Sequence, residues 1–293
     1  MFLNQIKNQF KTALLLSCLS LLFITLGGIF GGAAGAQFAL VFACIINFIT
    51  YYFSEKIVLS IYKAQALDEN EYGWIYATVR ELAATMQIPM PKLWLIRTPM
   101  ANAFATGRNP HHASIAVTTG IVGILDRNEL RGVLAHELSH IKNRDILVST
   151  VAATIAGAIG YLASMLQHMA FWGALRNDRK QNNNPIALLL VTILMPIAAM
   201  LIQLAISRSR EYLADETGAR SCGDPLALAS ALEKLHNHIP QAHINNADTA
   251  HASTAPLFIV HPFSSGSLSN LFSTHPPMKL RIERLQQLYA KLF

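Results

Sequence analysis

The sequence predicts a mainly α-helical integral membrane protein whose soluble part carries a small β-meander against a metal-binding helix. Three observations predict it. Apolar residues make up 52% of the 293 residues and charged ones only 14%, a balance that points to the membrane. No Asp, Glu, Lys or Arg occurs from Thr12 to Ser54, and two more such runs cover Ile146–Leu175 and Gln181–Ser207. The first run is too long for one span of about 20 residues and long enough for two. The third observation is His136-Glu137-Leu138-Ser139-His140, set in a helical pattern between these runs.

Taken in order, residues 1–54 are expected to form a transmembrane hairpin. The turn falls at Gly31-Gly32-Ala33-Ala34-Gly35 and carries no charge, whereas Lys7, Lys11, Lys56 and Lys63 flank the open end. The positive-inside rule then puts both ends in the cytoplasm. Ala34-Gly35-Ala36 has the look of a signal-peptidase site, but the run before it exceeds a typical signal core and another apolar run follows at once. Residues 55–145 are the first part of a soluble domain. Asp68–Met86 reads as a helix with Trp74, Ile75, Val79, Leu82 and Met86 on one face, stopped by Pro89 and Pro91. Lys92–Arg97, Asn102–Gly107 and Ser114–Val122 read as strands, with a turn at Gly107-Arg108-Asn109-Pro110.

Residues 146–206 hold the third and fourth apolar helices, the third starting so close to the metal helix that the two could be continuous. The loop between them, with Arg176, Asp178, Arg179 and Lys180, is basic, so charge alone leaves its side of the membrane open. Residues 207–293 complete the soluble domain. Asp224-Pro225 opens a helix through Leu226, Ala229, Leu232 and Leu235, Pro240–Pro256 and Ser264–Ser269 read as mobile loops, and Pro276–Leu292 as a basic amphipathic helix.

The formal net charge is +6, but Lys and Arg are scattered and often border the apolar runs. That distribution speaks against nucleic acid and for the anionic leaflet of a lipid bilayer. Cys18, Cys44 and Cys222 form no C-x-x-C pair, which excludes a Cys-rich zinc site and a disulfide framework and fits a reducing compartment.

The chemistry lies in the pentapeptide. Residues four apart share a helix face, so His136 and His140 can close on one ion, while Glu137 comes out beside them. In this pattern two imidazoles fix Zn²⁺, the metal acidifies its water, and the glutamate takes the proton. Asp126 and Glu129 have capping-box spacing, with Asp replacing the usual Ser or Thr. A catalytic zinc needs a third protein ligand from Glu, Asp or another His. Ser207–Asp215 offers two carboxylates four apart, Glu211 and Asp215, so that one could ligate and the other could bond the free ring nitrogen of a ligand histidine. The rival reading is a membrane chaperone or scaffold that keeps zinc only for structure, but closed structural sites have no use for a base such as Glu137. A processing peptidase with a single substrate would use the same chemistry as a broad one.

Asn102–Gly107, His136–His140, Ser207–Asp215 and Thr274-His275-Pro276-Pro277, in that order, resemble the motifs of the HtpX-type membrane zinc metalloproteases, relatives of the eukaryotic CAAX prenyl proteases. The resemblance runs over essentially the whole chain. It implies a gluzincin-like zinc protease domain, with one Zn²⁺ per chain held by His136, His140 and Glu211, and Asp215 in support. It implies Glu137 as general base and acid. It also implies a bacterial inner-membrane enzyme with a cytoplasmic active site that degrades misfolded or damaged membrane proteins. Two further roles follow from it: Asn102, Ala103, Phe104 and Ala105 as a strand edge that takes an extended substrate, and His275, with Arg281 beside it, facing the developing oxyanion. His111, His112, His236, His238, His243, His251 and His261 have no such pattern and read as solvated.

Overall fold

The structure is a computed structural model and describes residues 2–155, 208–238 and 276–292. Its first element, α1 (Phe2–Ile61), is a helix pair broken at Gly32, whose φ of 58° and ψ of −146° only glycine adopts readily. The two arms then run back along each other. A Cβ on Gly27 or Gly35 would collide with the other's carbonyl oxygen, so these glycines let the backbones touch. Asn47 Nδ2 donates to Ser20 Oγ at 2.8 Å across the pair, and Phe23 meets Phe42 edge-on. The uncharged run thus folds as two helical arms joined at Gly32. Gly31–Ile61 is long and apolar enough to cross a membrane, the one such helix among the described residues. Much of its apolar surface is bare: Phe38 is 76% and Val41 60% exposed.

After the hairpin come β1 (Gln65–Ala66), α2 (Glu69–Met86), β2 (Lys92–Ile96), β3 (Ala103–Asn109) and β4 (His112–Thr118). Asp68 caps α2 as its position predicts, and Gln87 ends it in a left-handed conformation. The sheet order is β1-β2-β4-β3, with β2 parallel to β4 and β3 antiparallel to β4. The expected meander is thus corrected. Residues Ala113 to Thr118 of β4 are buried, and a strand covered on both faces belongs in the middle of a sheet. The tight Pro110-His111 connection lets β4 fold back inside β3. His111 sits in that turn, while His112 already begins the strand. The strand reading of Ser114–Val122 also shortens: α3 (Thr119–Ile124) takes over, capped by Thr118.

Helix α4 (Arg127–Lys142) carries the pentapeptide through the centre of the core. The capping box is present: Asp126 Oδ1 accepts from the backbone N–H groups of Asn128 and Glu129, and Glu129 Oε2 accepts from that of Asp126, each at 2.9 Å. A turn at Asn143–Asp145 separates α4 from α5 (Ile146–Ile155), so the two are not one continuous helix. The remaining described helices are α6 (Arg208–Cys222), α7 (Pro225–Asn237) and α8 (Met278–Leu292). The rest of the third and fourth apolar runs, and the stretches read as mobile loops, lie outside the described residues. One hydrophobic core gathers residues from Leu67 to Leu288, so the two sequence-distant soluble stretches fold together.

The hairpin is fastened to this body at its end. Ser114 Oγ donates to Glu55 Oε1 at 2.6 Å, while Trp94 Nε1 donates to Ser114 Oγ at 3.0 Å. Val58 and Leu59 pack with Ile96, Phe104 and Ala116 of the sheet.

Candidate metal centre and active site

Three elements meet at the centre: α4, α6 and the outer strand β3. The i,i+4 spacing turns His136 and His140 to one side of α4, their Nε2 atoms 3.2 Å apart. Glu211, in the first turn of α6, brings Oε2 to 3.7 Å from His136 Nε2 and Oε1 to 3.7 Å from His140 Nε2. One nitrogen or oxygen from each residue lies within 4.8 Å of the other two, close enough to hold one metal ion between them. His136 and Glu211 are buried and His140 is partly open, so the site has one accessible side.

Asp215 approaches from behind. Its Oδ1 is 2.9 Å from His136 Nδ1, within hydrogen-bond reach when that nitrogen carries the ring proton. A bare Nδ1 lone pair facing a carboxylate would be repelled, so Asp215 selects the tautomer that leaves Nε2 free to ligate. Arg281 from α8 grips Asp215 with two bonds, Nε to Oδ2 at 2.8 Å and Nη2 to Oδ1 at 2.7 Å. Burial would raise the Asp215 carboxyl, but the Arg281 charge and hydrogen bonds, with His136, outweigh it and hold the group at about 2. Arg281 is fully buried in this pair and anchors Asp215. His275 itself lies outside the described residues.

Glu137 is buried, and its Oε2 accepts the Ala105 N–H at 2.9 Å. Burial pushes its carboxyl pKa up, against the opposing charges of His136 and His140. The strand expected to take substrate therefore runs directly past Glu137. Asn102 precedes β3 and pairs with Thr118 on both sides, giving its N–H to Oγ1 at 2.9 Å and accepting the Thr118 N–H at 3.0 Å. Ala103, Phe104 and Ala105 begin β3, the outer strand on the side of α4.

Sequence reasoning missed Asp145. Its Oδ2 lies 3.4 Å from His140 Nδ1, so each histidine has a carboxylate behind it. The end of α4 explains how. Arg144 N–H bonds to Ile141 O and Asp145 N–H to His140 O, the paired bonds of a Schellman cap, with Arg144 left-handed at φ 59°. The cap ties Asp145 to the backbone of His140 itself. Glycine is the usual signal for this turn, and an arginine conceals it. Burial lowers the His140 pKa, but the Asp145 hydrogen bond and the charges of Glu211, Glu137 and Asp145 more than reverse this, to about 9. Thr150 of α5 was also missed; its Oγ1 accepts the Gly107 N–H at 3.1 Å and holds the outer edge of β3. His236 and His238 are exposed at the end of α7, away from the centre. His112 engages Asn109.

Close packing sets the position of Glu211. A Cβ on Gly218 would stand 2.9 Å from His136 N and 3.0 Å from Ala135 C, so α6 reaches α4 only because this residue is glycine. Gly218→Val is expected to force the helices apart, costing about 1–3 kcal/mol of stability. Metal affinity should fall at least about tenfold, because Glu211 moves with α6. Competition with a chelating dye measures the loss; unchanged affinity would mean that Glu211 is placed by something other than this contact.

Residues 69–289 match Peptidase family M48. A Protease HtpX homolog of Syntrophobacter fumaroxidans is 53% identical over 283 residues, covering 96% of this chain and 99% of that protein. One of Aquifex aeolicus is 51% identical over 276 residues, covering 92% and 90%. The crystal structure of S. mikatae Ste24p has the same fold, with a TM-score of 0.51 at 16% identity over 97% of this chain and 67% of that one. A trio of side chains close enough to hold a metal, with a buried glutamate beside it, agrees with these likenesses: the chain belongs to peptidase family M48, among the HtpX-type metalloproteases.

Proposed function

We propose that this chain is a zinc-dependent endopeptidase of the bacterial inner membrane. On this reading it cleaves misfolded or damaged membrane proteins and unfolded polypeptides at a cytoplasmic active site. The observation that carries the catalytic part is the convergence of His136, His140 and Glu211 beside Glu137. The donor set suits zinc. Metal bonds of about 2.0–2.1 Å in a tetrahedral site put neighbouring donor atoms about 3.3 Å apart, against 3.2, 3.7 and 3.7 Å here. Two imidazoles also favour zinc over magnesium or calcium, which prefer all-oxygen sites.

Bound there, zinc supplies Lewis-acid chemistry, making water more acidic and a peptide carbonyl more electrophilic. The chain's own residues do the rest. Ala105 holds Glu137 Oε2, leaving Oε1 to accept the proton of the attacking water and to pass it to the leaving amine. Asp215 and Asp145 keep the two imidazoles oriented through Nδ1. The edge at Ala103–Ala105 is assigned to an extended peptide, which would pair through edge groups other than the Ala105 N–H that Glu137 holds. His275, six residues before the buried Arg281, is assigned to the developing oxyanion.

A membrane location is supported by the apolar hairpin, and a cytoplasmic site by the lysines at its open end, where Glu55 is fastened to the sheet. Detergent-purified, zinc-loaded chain is expected to fragment casein, with activity lost in EDTA and restored by zinc. Cleavage indifferent to EDTA, or absent with one zinc bound, would overturn the proposal.

A further inference from the structure

We propose that a cleft between the first arm of α1 and the β3–β4 turn binds the phosphate headgroup of an anionic phospholipid. This inference rests on the membrane reading above and concerns a site apart from the metal centre. The cleft has a volume of about 420 Å³, within the range of small-ligand sites. Arg108 and Arg144 line it together with Gln9, Thr12, Asn109 and Tyr51, and no carboxylate does among the described residues. Leu16 and Leu147 give it an apolar side. Two guanidinium groups, neutral polar groups and an apolar wall match a phosphodiester attached to acyl chains.

Position agrees with chemistry. The cleft lies at the open end of the hairpin, where exposed Phe10, Tyr52 and Phe53 accompany Lys11 and Lys56. Aromatic and basic residues gather at the headgroup level of a bilayer. Both arginines are also set in place by the fold. The Arg108 guanidinium lies 5.2 Å from the centre of the Tyr52 ring, a cation–π contact. Arg144 occupies the left-handed cap position at the end of α4, where glycine would be relaxed. A non-glycine residue held in that conformation puts a charged side chain into the cleft.

The test is native mass spectrometry of the full chain in detergent, titrated with dioleoylphosphatidylglycerol or dioleoylphosphatidylcholine. The wild type should retain the phosphatidylglycerol and not the phosphatidylcholine, and inorganic phosphate at equal concentration should not displace it. Loss of two charge-assisted bonds should weaken phosphatidylglycerol binding at least about tenfold in R108Q/R144G. Arg144→Gly relaxes the backbone, and R108Q alone, weakened in the same direction, serves if the double variant aggregates. K56Q/K63Q removes two neighbouring charges outside the cleft and should bind as the wild type does. Equal loss in K56Q/K63Q would overturn the proposal in favour of diffuse attraction to the leaflet, and no loss in R108Q/R144G or equal retention of phosphatidylcholine would also overturn it. Displacement by inorganic phosphate would identify a free-anion site instead. Should the chain fractionate without membranes, the membrane reading itself fails, an outcome separate from any of these.

Discussion

Glu137→Gln is expected to abolish proteolysis while one metal ion per chain stays bound. A general base contributes about 10²–10⁴-fold, so kcat/KM should fall by at least that much. The side chain is not among the three ligand atoms, and glutamine is nearly isosteric, so its amide oxygen can still accept the Ala105 N–H. Stability should move the other way. Burial raises the Glu137 carboxyl pKa, so ionisation is disfavoured in the folded state. For a carboxyl raised in this way, the cost appears as pH climbs through the ordinary value and is complete above the folded one. At neutral pH a neutral amide removes it, and chelator-treated Glu137→Gln should melt no lower than chelator-treated wild type. A variant that loses both metal and stability would make Glu137 structural. One that keeps full activity would remove it from the mechanism.

Much of this site was legible because its key spacings are local. Four-residue separations put His136 with His140, and Glu211 with Asp215, on shared helix faces, and the capping box announced where α4 begins. What escaped was non-local or disguised. Arg281 meets Asp215 across 66 positions, and nothing in its own neighbourhood says so. Asp145 is only five residues past His140, but the turn that brings it back normally shows a glycine, and here Arg144 occupies that place. The order of the strands was missed for a similar reason. Succession along the chain suggested a meander, whereas the burial of β4 on both faces decided that it, not β3, lies beside β2.

That strand order has a consequence for the site. With β4 inside, β3 is left on the rim facing α4, which is why its Ala105 N–H reaches Glu137 and not another strand. The hairpin contributes as well, since Glu55 holds Ser114 of β4 and Val58 packs near Phe104 of β3. Glu137, the β3 edge and the apolar hairpin are therefore fixed to one small sheet.

Glu211→Gln and Asp215→Asn should separate the two carboxylates of α6 by two independent measurements. Glu211 faces both Nε2 atoms, whereas Asp215 reaches Nδ1 of His136 and is held from the other side by Arg281. Glu211→Gln should thus lose metal on dialysis and lose activity with it, because two imidazoles alone remain. Asp215→Asn should weaken metal binding by about 10–100-fold yet bind at saturating zinc, the usual result of removing a group behind a ligand. Stability should follow the reverse order. Breaking a buried ion pair costs about 3–5 kcal/mol, because the partner charge is left uncompensated, and Arg281 is fully buried. Asp215→Asn should therefore melt lower than the wild type after chelation, and lower than chelated Glu211→Gln, which leaves the Asp215–Arg281 pair intact. Adding Arg281→Met to Asp215→Asn should recover part of the stability and none of the metal affinity, because the Nδ1 partner of His136 is still missing. If Asp215→Asn strips the metal at saturating zinc while Glu211→Gln keeps it, the ligand is Asp215 and α6 meets the histidines in a different register.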